Sequence, residues 1–330
     1  LCLTVLQSDM VSFAGVAPMM ITMAGMDQPV TISGLGPWPQ AASVDYFLTE
    51  HQGKMPVGVA RTVVPGAPDA WIQALTHYGT LSFEAVSKYA VDLAQNGFAM
   101  HQFLRNGLHE LQADFARWPS NAAIYLPGGR PPETGERFFQ QDLAATMNKM
   151  AAAERNARGR GRSAGLRAAR DEFYQGSIAR AIVDFHRRQG GLMTLDDLAT
   201  FESAIEAPCA TVYGDYTVYS ARPWCQGPVL LPMLNLLENF DLQAMGHNSA
   251  DYIHTLIEAM KLAFADRHHF YGDPDVVEVP IEGLLSSDYA HDRSRLVRPG
   301  DAWQEMPPPG DPWRHQGQTP PTRTHAPVAP

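Results

Sequence analysis

The strongest constraint on the fold is a stretch around residue 260 that predicts one long helix with both ends marked. Asn248 or Ser249 can cap its start, and Asp251 places negative charge in the first turn, where the helix dipole favours it. Gly272 and Pro274 mark its end, because glycine accepts a positive φ and proline cannot continue a helix. Apolar residues recur between these ends at helical spacing: Ile253, Leu256, Ile257, Met260 and Phe264. The spacing predicts that this stripe faces a core.

Shorter elements are predicted along the rest of the chain. Apolar runs bounded by turn residues indicate strands at Val30–Ile32 and at residues 61–64. Two further runs flank a Gly-Asp pair, which suits the tight turn of a hairpin over residues 210–219. Ser82 is an N-cap candidate, and Thr194 begins a capping-box pattern. The main helical patterns cover residues 69–115, 141–150, 229–240 and 249–270.

An arginine-rich segment interrupts these patterns. Six arginines lie between Arg155 and Arg170, interleaved with three glycines. One interpretation is a lid that binds anions. Like charges next to glycines resist ordering, so the sequence favours a solvated, mobile insertion instead.

Charge and composition exclude several classes of protein. The formal net charge of −10 disfavours a nucleic-acid or anionic-membrane partner, and no apolar run approaches the roughly 20 residues of a membrane span. The three cysteines have neither metal-type spacing nor an even count, so we expect neither a metal site nor a disulfide framework. The first residues lack a signal-peptide pattern and an initiator Met, and we expect the chain to begin within a longer protein. Residues 307–330 are Pro-rich and polar, which predicts a disordered tail without packed elements.

Several sequence words, each in the expected order, resemble the gamma-glutamyltransferase (gamma-glutamyltranspeptidase) family. The clearest is the long predicted helix with the Gly-Asp-Pro that follows it. The words are VVPG at 63–66, NGF at 96–98, FYQGSIA at 173–179, GGLMTLDDL at 190–198, EAMKLAFADR at 258–267 and GDP at 272–274. On these words the chain is identified as a divergent member of that family.

The resemblance implies an α+β protein that forms part of a four-layer αββα fold, the fold of N-terminal-nucleophile hydrolases. Such enzymes are made as precursors that cut themselves into a large and a small subunit. Residues 1–306 would be the large-subunit portion of one such domain, incomplete at its N-terminus. The expected partner is a small subunit that carries the nucleophile, and the expected substrate is a small-molecule amide or gamma-glutamyl-type compound. No cofactor or metal is expected.

The family's chemistry requires a threonine at the cut site. Once the preceding peptide bond is broken, the free α-amino group, with a pKa near 8, can act as base for the hydroxyl of the same residue. Near the expected point the sequence offers Thr319, Thr322 and Thr324. Thr322 is the candidate nucleophile. The prolines that follow, Pro327 and Pro330, are unfavourable for the central strand that continues from this residue in the family.

The substrate pocket departs from the family at one position. Members that bind the gamma-glutamyl group carry an arginine whose fork pairs with the substrate α-carboxylate. In the matching stretch, SGLGPWP at residues 33–39, Leu35 stands where that arginine would be. An apolar side chain cannot replace a bidentate charge contact, so the sequence predicts a different acyl group or another amide.

Three alternatives remain at this stage. Cys225 lies before a predicted helix start, where a thiol pKa can be lowered, so a cysteine hydrolase is one alternative. A metal site is a second, built from His254, Glu258, Asp266, His268 and His269. Its two halves lie nearly three helical turns apart, too far for one coordination sphere. The third is a catalytically silent fragment or pseudoenzyme that acts as a scaffold.

Overall fold

The computed structural model describes residues 1–319, and these residues form two compact units. Unit 1 comprises Leu1–Met19 and Ile32–Ile205. Unit 2 comprises Met20–Thr31 and the chain from Glu206 onward. The assignment of residues 1–306 to a single domain stays a prediction.

Unit 1 is mainly helical. Its helices are α1 (Cys2–Leu6), α2 (Val44–His51), α3 (Ala67–Tyr78), α4 (Phe83–Asn96), α5 (Gln102–Glu110), α6 (Gln112–Ala116), α7 (Pro119–Tyr125), α8 (Gln141–Ala157), α9 (Arg162–Tyr174), α10 (Ser177–Gln189) and α11 (Leu195–Ala199). Helices α4, α8 and α9 pack together around side chains that water does not reach: Phe83, Met147, Met150 and Leu166. The predicted N-caps are confirmed, because Ser82 Oγ accepts from Ala85 N at 3.1 Å and Thr194 forms a full capping box with Asp197.

Unit 2 contains the helices α12 (Leu230–Leu237), α13 (Leu242–Met245), α14 (Ala250–Phe270), α15 (Ile281–Leu284) and α16 (Ser287–Ser294). Helices α12, α14 and α16 form its core, and Ser249 caps α14 by accepting from Tyr252 N at 3.1 Å. The predicted start of the long helix is therefore confirmed. None of the helices within residues 1–319 combines the length and apolar content that crossing a membrane requires.

The described strands are short. They are β1 (Met19–Ile21), β2 (Val30–Ile32), β3 (Phe98–Ala99), β4 (Arg137–Phe138), β5 (Ile205–Glu206), β6 (Cys209–Tyr213) and β7 (Tyr216–Ser220). The strand order is β1-β2-β5 in one sheet, and β3 with β4 and β6 with β7 form antiparallel pairs. The predicted hairpin is confirmed, with Gly214 at a φ of 56° in its turn. The strand predicted at residues 61–64 is wrong: Val59–Arg61 is a 3₁₀ turn and Pro65 offers no donor to a ladder.

The face of α14 that is buried differs in part from the prediction. Ile253, Ile257 and Met260 are 44%, 45% and 44% exposed, respectively, whereas Leu262 and Ala263 lie inside. Of the predicted stripe, Leu256 does pack against the core and Phe264 is half-buried. The small side chains let α12 approach closely, so the unit buries the alanine-rich face instead of the larger apolar residues. The helix ends at Phe270, the last residue of the predicted range, but Gly272 does not adopt a positive φ.

The arginine-rich segment is folded, so the prediction of a mobile insertion is wrong, although most of its arginines are exposed to solvent. Residues 158–160 make one 3₁₀ turn between α8 and α9. Arg155 and Arg158 both bind Glu84, at 2.5 and 3.1 Å. Arg162 binds backbone carbonyl oxygens of Leu75 and Gly79. One carboxylate, Glu84, thus binds two of the arginines and backbone carbonyls bind a third, and these contacts offset the repulsion on which the prediction depended.

The chain after residue 307 is packed over part of its length. Pro308 O accepts from Arg293 Nη2 at 3.0 Å, Gly310 N donates to Asp266 at 2.8 Å, and Trp313 is 4% exposed. The prediction that no packed element follows Pro307 is therefore wrong for this stretch. For residues 320–330, which lie outside the described chain, the disordered tail stays a prediction.

Candidate functional site

Leu35 lies in a segment that backbone hydrogen bonds hold in place within unit 1. Ser33 N donates to Ala204 O at 3.0 Å, and Gly34 O accepts from Ala17 N at 2.9 Å. Val64 N donates to Pro37 O at 2.9 Å. Bonds on both sides of Leu35 thus fix its backbone, so the position that the family resemblance assigns to substrate binding is a rigid one.

Glycines on either side of Leu35 allow this close packing. A Cβ on Gly36 would lie 1.8 Å from Val64 O, and one on Gly66 would lie 2.3 Å from Gly34 O. Neither contact is sterically possible, so two backbone segments meet here only because side chains are absent. The VPG and SGLG segments are therefore packed directly against each other. The Leu35 side chain, which lies in the second of them, has 37% of its surface exposed.

A buried polar network at the N-terminal turn of α3 supports these two packed segments. Asp69 is fully buried and accepts from Arg170 Nε and, at 2.6 Å, from Ser203 N. Tyr174 donates its hydroxyl proton to Pro65 O at 2.6 Å and accepts from Asp69 N at 3.1 Å. Burial raises the pKa of Tyr174, so the phenol stays neutral and keeps both bonds. No local pattern in the sequence indicates this network, because its members are up to 134 positions apart.

Aromatic residues continue the surface beyond Leu35. The ring of Trp38 packs edge-on against Phe47 with 5.5 Å between centroids, and Tyr46 packs against Phe47 at 5.1 Å. Trp38 remains 41% exposed. The segment that follows Leu35 is thus rich in apolar and aromatic surface, as a site for an apolar acyl group would be.

Of the three threonine candidates, only Thr319 lies within the described residues. Thr322 and Thr324 lie outside residues 1–319, and Thr319 is exposed at the end of the described chain. The assignment of Thr322 as the nucleophile, and of Leu35 as a substrate contact, stays a prediction.

Cys225 is not in an activating environment. Its Sγ accepts a hydrogen bond from Gly227 N at 3.4 Å, but burial raises the pKa of the thiol. A raised pKa keeps the sulfur protonated at neutral pH, whereas a nucleophile needs the thiolate. The geometry therefore opposes the cysteine-hydrolase alternative.

Three of the five residues of the alternative metal site bind other partners. His254 Nε2 lies 2.8 Å from Arg298 O, Glu258 binds Lys261 Nζ at 2.6 Å, and Asp266 accepts from Tyr289 Oη at 2.8 Å. Among the residues that the structure describes, no cluster of three or more His, Cys, Asp or Glu side chains could hold a metal ion.

Comparison with known proteins decides the family. The family profile described as Gamma-glutamyltranspeptidase matches residues 1–328. The chain belongs to the gamma-glutamyltranspeptidase family. This membership confirms the resemblance seen in the sequence words, and the mixed helices and strands confirm the α+β class of an N-terminal-nucleophile hydrolase.

Two kinds of relative are found within this family. The chain is 34% identical to the Acylase ACY 1 proenzyme of Pseudomonas sp. (strain V22) over 306 residues, which cover 89% of this chain and 52% of that protein. Among solved structures it resembles the gamma-glutamyltranspeptidase of Helicobacter pylori, with a TM-score of 0.83, 28% identity and coverage of 93% and 86%. It also resembles the cephalosporin acylase from Bacillus halodurans, with a TM-score of 0.79, 28% identity and coverage of 90% and 53%. The chain spans about half the length of the acylase proenzyme that it matches.

Proposed function

We propose that this chain is the large-subunit portion of an amide hydrolase or acyltransferase that acts through an N-terminal threonine. The acyl donor would be a compound other than a gamma-glutamyl amide. The observation that carries this proposal is Leu35, an apolar residue on a rigid backbone at the position of the substrate-binding arginine. Relatives of this chain include an acylase proenzyme, so an acyl donor other than a gamma-glutamyl amide is within the range of the family.

The chemistry would follow from the free N-terminus of the cleaved chain. The α-amino group takes the proton of the threonine hydroxyl, whose oxygen attacks the amide carbon. Backbone N–H groups stabilise the negative oxygen of the tetrahedral intermediate. The amine then leaves with the proton, and water or a second amine releases the acyl group from the ester. In this sequence, Thr322 is the candidate for this residue.

A small subunit would complete the site, and the exposed stripe on α14 supports this partner. Ile253, Ile257 and Met260 lie on one helix face and each exposes nearly half of its surface. A contiguous apolar stripe of this kind on a folded unit is typical of a surface that another element covers.

Processing is the first testable consequence. Intact mass and N-terminal sequencing of the protein from its native source should find a second, co-purifying chain that begins with threonine. If Thr322 is the nucleophile, that chain begins at residue 322, and Thr322→Ala leaves a single uncut chain without activity. A single wild-type chain without such a partner would favour the scaffold alternative and would contradict the proposal. A cut before another threonine would retain the mechanism and reject Thr322.

Substrate choice is the second consequence. Leu35→Arg should raise kcat/KM for a gamma-glutamyl anilide, relative to an aliphatic acyl anilide, by about 10- to 100-fold. This range corresponds to one charge-assisted hydrogen-bond pair of roughly 1.5–3 kcal/mol. Leu35→Met is the matched control, because it keeps an apolar side chain and should leave the preference unchanged. A wild-type enzyme that already prefers the gamma-glutamyl substrate would overturn the assignment of the acyl class.

A further inference from the structure

A cavity of about 290 Å³ lies within unit 2, away from the segment that carries Leu35 in the sequence. The loop after β7 and the C-terminal end of α14 form its walls. Six side chains carry its chemistry: Trp224, Cys225, Gln226, Arg267, His268 and Tyr271. Nothing in the proposed amide cleavage uses this cavity.

Arg267 contributes a positive charge to the cavity that no acidic side chain neutralises. Its guanidinium lies 5.8 Å from the ring centroid of Phe264, and it forms no ion pair with a carboxylate of the described chain. The other arginines of unit 2 that are similarly or more buried are paired: Arg222 with Glu206 at 2.9 Å and Arg293 with Asp266 at 3.2 Å. Half-buried arginines commonly bind anions. Because Arg267 has no carboxylate partner in the described chain, its guanidinium is available to an anion from outside the protein.

Tyr271 contributes a hydrogen-bond donor that is also unused. Its hydroxyl is buried and has no hydrogen-bond partner within residues 1–319. Burial raises the pKa of Tyr271, so the hydroxyl keeps its proton. A buried hydroxyl without a partner destabilises the folded protein. Water does not reach this hydroxyl, so an acceptor bound in the cavity would meet it after a shift of the Tyr271 side chain and would then remove that cost.

Trp224 contributes an apolar wall whose orientation is fixed. Its indole N–H donates a hydrogen bond to Glu206 Oε2 at 2.8 Å, and Glu206 Oε1 accepts another from Arg222 Nη1 at 2.9 Å. This acidic side chain is therefore occupied and does not neutralise Arg267. A fixed indole can hold an apolar or aromatic group next to a charged one.

We propose that this cavity binds a small aromatic monocarboxylate. The carboxylate pairs with Arg267 and accepts a hydrogen bond from the Tyr271 hydroxyl, and the ring packs against Trp224. The volume lies at the lower end of the range for ligand pockets, about 300 Å³, so a single-ring compound is the appropriate size. Neutral thiol and amide groups of Cys225 and Gln226 complete the walls without adding negative charge.

The test is a calorimetric titration of the purified full chain, with benzoate as the probe. Wild-type protein should bind one equivalent, with a Kd on the order of millimolar or tighter for a ligand of this size. Benzamide, which has nearly the same shape but no charge, should bind at least ten times more weakly. Inorganic phosphate, a charge without a ring, should also bind at least ten times more weakly.

Three variants assign the contacts. Arg267→Met should weaken benzoate binding at least tenfold, and Arg267→Lys should recover part of that loss. Tyr271→Phe should weaken binding several-fold and should also raise the Tm of the ligand-free protein, because it removes an unpaired buried hydroxyl. Arg295→Met, which removes an exposed arginine of the same unit, is the matched control and should change neither quantity.

The proposal is overturned if the wild-type protein shows no saturable binding of benzoate, or if benzamide or phosphate binds as tightly as benzoate. These outcomes need no variant, so they remain decisive even if a substitution impairs folding. Benzoate binding that is equal in Arg267→Met and wild type would also overturn it. The result is independent of amide cleavage, because binding is read without a substrate.

Discussion

Replacing Asp69 with alanine is expected to lower the free energy of unfolding of unit 1 by about 3–5 kcal/mol. Asp69 is fully buried, and Arg170, its partner, exposes 14% of its side chain. The substitution leaves a mostly buried guanidinium without its carboxylate and Ser203 N without an acceptor. The loss should appear in urea denaturation and in faster hydrogen exchange of α3 and α9.

Asp171→Ala is the matched control for this prediction. Asp171 also faces Arg170, with 3.8 Å between the nearest charged atoms, but it is 44% exposed. An exposed ion pair contributes roughly 0–1 kcal/mol, so this variant should resemble wild type. If the two variants are equally stable, the buried network does not hold the N-terminal turn of α3. The double variant Asp69→Ala with Arg170→Met should lose less than the two single changes added together.

Replacing Asp266 with alanine is expected to destabilise unit 2 by a similar amount, about 3–5 kcal/mol. Its carboxylate accepts from Tyr289 Oη at 2.8 Å, Arg293 Nη2 at 3.2 Å and Gly310 N at 2.8 Å. One side chain of α14 therefore holds both α16 and the segment around residue 310. Losing it leaves the buried Arg293 charge uncompensated.

The readout that distinguishes this effect is limited proteolysis around residues 308–316. Asp266→Ala should expose this segment to cleavage before the rest of unit 2 unfolds. Asp292→Ala is the control: its carboxylate is 57% exposed and its contacts with Arg295 and His315 are 3.9 and 3.7 Å long. Cleavage of the two variants at the same rate would contradict the role assigned to Asp266.

Local signals in the sequence were sufficient for the helix starts and the hairpin. Ser82, Thr194 and Ser249 each bond to a backbone N–H three residues ahead, so the cap and its partner lie within one short word. The hairpin likewise depends on a turn between adjacent strands. The motifs shared with the family are also contiguous, so they indicate the family without any long-range contact.

Features that depend on residues far apart in the chain could not be predicted from local sequence patterns. The apolar stripe of α14 satisfies the helical period, but so does the opposite face with Ala259, Leu262 and Ala263. Which face is buried depends on the side chains that α12 presents, and that information is not in the period of α14. The prediction for the arginine-rich segment was wrong for the same reason, because the acceptors Glu84 and Asp69 lie 71 or more positions away.

The sequence by itself determined the family, the helix caps, the hairpin and the apolar residue at position 35, because each of these is encoded within a few neighbouring residues. Only the tertiary structure decided that Leu35 lies on a rigid backbone and that Asp69 and Asp266 are buried and paired. It also decided that Arg267 and Tyr271, whose polar groups have no partner in the described chain, line the same cavity. Packing brings these groups together across long stretches of chain, and the free energy of a buried charge depends on that packing, not on its sequence neighbours.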